Sequence, residues 1–117
     1  MELASGEPVP PDRPVTLINV FEVPAGDADA FIAQWRERAK IMAAAPGFRD
    51  TRLHQAASPR ARFRFVNVAH WDSREQLEAA QGSRAFQENL RSAIKDARVR
   101  FAANPAAYEV VAEFVAD

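Results

Sequence analysis

Two stretches of this chain are apolar on both sides of a period-two pattern, and that pattern limits the folds open to it more than any other feature. Val15-Thr16-Leu17-Ile18-Asn19-Val20-Phe21-Glu22-Val23 places Leu17, Phe21 and Val23 on one side and Ile18 and Val20 on the other. Arg62 to Trp71 places Phe63, Phe65 and Ala69 against Val66 and Val68. β-Branched and aromatic residues at this spacing form strands. A strand in an antiparallel sheet that is apolar on both sides needs cover above and below. Helices can supply one cover, so the other points to a second copy of the chain, a sheet-to-sheet homodimer.

The remaining pattern completes a βαββαβ order. Pro24-Ala25-Gly26 stops the first strand, and Phe31, Trp35, Ala39 and Met42 then recur at helical spacing from Asp27 to about Ala44, closed by Pro46-Gly47. Phe48–Gln55 and Arg62–Trp71 flank a turn-prone Ala56–Ala61 loop and read as a hairpin. Ser73 with Gln76 is a capping box for a short helix to Ala80. Gly82 stops it, and Ser83 caps a second helix carrying Phe86, Leu90, Ile94, Ala97 and Phe101. Asn104-Pro105 is expected to end that helix, with Tyr108, Val110, Ala112 and Phe114 alternating in a fourth strand. The expected architecture is α+β and ferredoxin-like, a four-stranded antiparallel sheet with helices on one face. Residues 1–14, with Pro8, Pro10, Pro11 and Pro14, read as a flexible lead-in, and 15–117 as one domain.

Composition narrows the function classes. A chain of 117 residues with 48% hydrophobic and 26% charged residues suits one small soluble domain, with no room for a membrane-spanning reading. The net charge of -1 gives no global field for nucleic acid or membrane, although Arg49, Arg52, Arg60, Arg62 and Arg64 crowd one stretch. The absence of cysteine removes disulfides, iron–sulfur clusters and thiol nucleophiles. The first residues have no basic or apolar signal region, which makes the cytoplasm the expected location.

No metal-hydrolase, phosphate-loop or nucleophile-elbow motif is present. The two histidines, His54 and His70, lie about 23 Å apart in a register pairing Gln55 with Arg62, too far to share a metal. That register sets Asp50 against Asn67, Arg52 against Phe65 and His54 against Phe63, interleaving polar and aromatic groups on one face. Asn19 shares the side of Leu17 and Phe21, where its amide must bond either to protein or to a ligand. Trp71 anchors the sheet to the following helix while its indole N–H seeks an acceptor. Trp35, with Phe31 and Met42, reads first as a helix-core stripe.

Leu17-Ile18-Asn19-Val20-Phe21, Pro46-Gly47-Phe48, Arg52-Leu53-His54 and above all Phe63-Arg64-Phe65-Val66-Asn67-Val68-Ala69-His70-Trp71-Asp72-Ser73 resemble the antibiotic biosynthesis monooxygenase family, from about Val15 to Phe114. The resemblance implies a dimeric α+β barrel. Each subunit would hold a cavity between helices and sheet, where polycyclic anthrones or quinols are oxygenated without metal, flavin or haem. It points to Asn19, Asn67, Trp71 and His54 as catalytic donors and to Phe21, Trp35, Phe65, Phe86 and Leu90 as substrate contacts. A haem-degrading branch of the family shares the Asn, but its Trp and His positions fall on Ala80 and Leu90, which disfavours that chemistry. An RNA-recognition motif has the same element order, and Phe63-x-Phe65-Val66 mimics its stacking strip. Arg62, Arg64 and Thr16 depart from that motif. The remaining alternative is a non-catalytic dimer that binds a small aromatic ligand.

Overall fold

The computed structural model describes residues 9–117. Strand β1 (Val15–Glu22) leads through a single 3-10 turn at Ala25–Asp27 into α1 (Ala28–Ala43), followed by β2 (Phe48–Gln55) and β3 (Phe65–Trp71). Two short helices, α2 (Arg74–Gln81) and α3 (Arg84–Lys95), precede β4 (Ala102–Tyr108). The sheet order is β2-β3-β1-β4, antiparallel throughout. This is the expected α+β, ferredoxin-like arrangement.

Both serine caps form. Ser73 Oγ accepts the Gln76 N–H at 3.1 Å and Ser83 Oγ accepts the Phe86 N–H at 3.3 Å, so each short helix starts with one orphan donor satisfied. Gly47 closes the α1–β2 corner at φ +87°, and a Cβ there would fall 2.3 Å from Gln76 Oε1. The corner therefore needs glycine for its backbone and for its space.

The core is two apolar clusters on one sheet face. Val15, Leu17, Ala69, Trp71, Leu77 and Ala80 form one beneath α2, and Phe21, Val23, Phe31, Phe65 and Val99 form the other beneath α1. Across β1 and β3 the facing pairs run Val15–Trp71, Leu17–Ala69, Asn19–Asn67 and Phe21–Phe65. The asparagine pair thus falls where one cluster ends and the other begins.

Three expectations change. The hairpin pairs Gln55 with Phe65, not with Arg62, because the loop needs three more residues. Ser58 Oγ holds the Arg60 N–H, Arg64 reaches the Pro59 carbonyl, and Arg62 lies over the Phe63 ring and pairs with Glu22. An odd shift exchanges the two faces of a strand. On β3, Asn67 and Phe65 lie on the helix side with Ala69 and Trp71, and the shifted register puts Asp50, Arg52 and His54 on the other face with Val66, Val68 and His70.

The third helix stops at Lys95 instead of running to Phe101. Asp96 ends it by accepting the Arg98 backbone N–H and guanidinium and the Gln34 amide. The fourth strand accordingly begins at Ala102, and Asn104-Pro105 lies inside it instead of before it. Pro105 is tolerated because β4 is an edge strand. Residues 109–117 form no strand, leaving Val111, Phe114 and Val115 exposed.

Of the Pro-rich lead-in, residues 1–8 lie outside the described residues. The rest runs along α2, with the Arg13 and Pro11 carbonyls accepting the Arg74 and Glu75 N–H groups and Val9 packed on the core. No described helix is long and apolar enough to cross a membrane.

Candidate active site

Between the sheet and the helices lies a cavity of about 290 Å³. Its floor is Leu17, Asn19 and Phe21 from β1, Thr51 from β2, Asn67, Ala69 and Trp71 from β3, and Ala103 and Pro105 from β4. Its roof is Trp35, Arg38 and Met42 from α1, Gln81 from α2 and Phe86 and Leu90 from α3, with Phe101 from the segment before β4. The walls are mainly aromatic and aliphatic, the setting for a flat apolar ligand.

Polar groups enter this apolar space at few points. Thr51 Oγ1 donates to Asn67 Oδ1 at 2.5 Å, and the Asn104 backbone N–H donates to Asn19 Oδ1 at 3.0 Å. With both oxygens engaged, the Nδ2 amino groups are the donors the pair can offer to a ligand. Trp71, 1% exposed, packs edge-on against Phe48, and its Nε1–H has no partner among the described residues.

Arg38 is the charged group in the lining. It is 7% exposed, its Cζ lies 5.6 Å from the centre of the Phe101 ring, and burial pulls its guanidinium below the usual value. Among the described residues the lining contains no carboxylate, imidazole or ammonium group. Chemically the site offers N–H donors among apolar walls, and among the described residues it holds no side chain suited to act as base. Such donors stabilise negative charge developing on a ligand oxygen.

The cavity brings together Asn19, Asn67 and Trp71 with Phe21, Trp35, Phe86 and Leu90. It does not include His54 or Phe65. His54 is exposed on the opposite sheet face, with Nδ1 3.3 Å from the Val66 carbonyl, a consequence of the shifted register. Phe65, 1% exposed, is stacked on Phe31 at 4.8 Å within the core. That burial also removes the aromatic strip on which an RNA reading would depend. On the same outer face as His54, His70 Nδ1 lies 2.6 Å from Asp50 Oδ1, and this bond holds the Asp50 carboxyl below its usual range.

Sequence reasoning missed Arg38, Thr51 and Gln81. Arg38 left a readable signal, since it interrupts the apolar stripe Phe31, Trp35, Met42 at helical spacing. Thr51 left none, because its contact with Asn67 depends on the hairpin register.

The family model for antibiotic biosynthesis monooxygenases matches residues 14–91. The chain belongs to this family. Among solved structures, the antibiotic biosynthesis monooxygenase domain is similar to a Shewanella loihica protein provisionally assigned as a monooxygenase. Identity is 35%, with 86% of this chain and 97% of that one covered and a TM-score of 0.69. SnoaB, a cofactor-independent oxygenase from Streptomyces nogalater, shares the fold at 20% identity, 86% and 96% coverage and a TM-score of 0.70. No curated protein matches the chain.

Proposed function

We propose that this antibiotic biosynthesis monooxygenase-family protein is a cofactor-independent oxygenase acting on a small polycyclic aromatic of the anthrone or quinol type. The observation that carries the reading is the pairing of two amide donors, Asn19 and Asn67, with the unpartnered Trp71 indole N–H in one aromatic-lined cavity. Such donors stabilise the oxygen of an enolate. With no base among the described lining residues, the protein raises the substrate's acidity and the proton leaves to water. The carbanion then gives an electron to dioxygen, radical recombination forms a hydroperoxide, and loss of water leaves the quinone. One anthrone and one dioxygen yield one quinone and one water. The substrate supplies the electrons, so this route requires no metal, flavin or haem.

Assembly as a homodimer in the cytoplasm belongs to the same reading. Ile18, Val20, Val66 and Val68 lie on the sheet face away from the helices, and a second copy supplies their cover.

Oxygen uptake with a model anthrone, corrected for autoxidation, tests the chemistry. Asn19→Ala is expected to lower uptake on the order of 10²-fold with the fold retained, and His54→Ala to leave uptake unchanged. No protein-dependent uptake across several anthrones and quinols would leave the alternative, a non-catalytic binder of small aromatics.

A further inference from the structure

Arg38 is charged, buried and unpaired. Both terminal nitrogens, Nη1 and Nη2, are shut off from solvent and bonded to no acceptor among the described residues. Guanidinium does not give up its proton in proteins, and an uncompensated buried charge is strongly destabilising. The face of the Phe101 ring interacts with the cation but accepts none of its in-plane N–H bonds. Every other cavity residue among those described is uncharged. The pocket therefore has a positive charge in its helix wall with nothing in the described protein to balance it.

We infer that the cavity selects an aromatic ligand bearing a carboxylate, with Arg38 pairing the carboxylate from the helix side while the asparagine pair faces the ligand from the sheet side. On entry of the ligand, the guanidinium turns from the Phe101 ring into the cavity. Two adjacent unbonded nitrogens match the two oxygens of a carboxylate, the bidentate arrangement that sets arginine apart from a point charge. Arg38 is thus a specificity-determining residue. The inference rests on the cavity being the aromatic site proposed above, and its test requires no turnover.

Calorimetric titration of the protein with naphthoate and with its uncharged methyl ester provides that test. The acid is expected to bind about tenfold or more tightly than the ester. Arg38→Met is expected to bring the acid down to the ester's affinity without changing the ester's, and Arg38→Lys to keep part of the preference. Equal affinity of acid and ester, or an equal loss of both in Arg38→Met, overturns the carboxylate inference and leaves the aromatic site standing. Failure of either compound to bind overturns both. Should Arg38→Met not fold, the ratio of acid to ester in the unaltered protein decides the matter.

Discussion

Asn19 and Asn67 stand opposite each other across the β1–β3 ladder, on the helix-covered face. Facing residues on antiparallel strands have Cα atoms about 5 Å apart, so two carboxamides interrupt an otherwise apolar succession of cross-strand pairs. Each oxygen is held from outside the pair, by Thr51 on one neighbouring strand and by Asn104 on the other. The sheet thereby aims two amino groups without either amide consuming the other.

Thr51→Val keeps the shape of the site and removes the hydroxyl that fixes Asn67. Oxygen uptake is expected to fall on the order of 10- to 100-fold, because a donor that is no longer held loses its alignment. Stability should fall by only about 1 kcal/mol. Unchanged uptake, with the fold verified by circular dichroism, would show that Asn67 needs no such support.

Val68→Asp places a carboxylate on the sheet face away from the helices. If a second copy covers that face, sedimentation velocity should show the variant as a monomer with its secondary structure intact. A dimer unaffected by the substitution would move the contact elsewhere, with the exposed Val111, Phe114 and Val115 the next surface to alter.

Gly47→Ala should destabilise the fold by about 1–3 kcal/mol in chemical denaturation. The backbone at φ +87° disfavours a side chain, and the added methyl meets Gln76 of the α2 capping box. A loss near zero would mean that both the corner and the Gln76 side chain relax freely.

The Asp96 carboxyl is held well below its usual range, chiefly by hydrogen bonds from Arg98 and with a further bond from Gln34. A carboxyl whose folded pKa is depressed contributes stability above its unfolded pKa and loses that contribution as pH falls through the folded value. Asp96→Asn is therefore expected to lower Tm at neutral pH, with the gap to the unaltered protein beginning to close below about pH 4. A gap independent of pH would show that the acid acts only as a helix stop.

Local pattern determined the order of elements, both serine caps, the glycine corner and the side of β1 on which Asn19 sits, because each depends on neighbours within a few residues. The two-sided apolarity of β1 and β3 also carried the sheet layout. The hairpin register did not show in the sequence. It depends on how many residues the arginine-rich loop consumes, and a shift of three separates the two, with Asn67 under the helices and His54 on the opposite face. The start of β4 was equally hidden, since Asn104-Pro105 reads as a stop until the strand is known to lie at an edge beside Asn19. Arg38 was visible as a break in an apolar stripe, but its lack of a partner arises only when α1, Phe101 and the sheet enclose it. Short-range chemistry thus specified the parts, and the tertiary structure alone decided which polar groups share the cavity, because burial and strand register are properties of residues far apart in the chain.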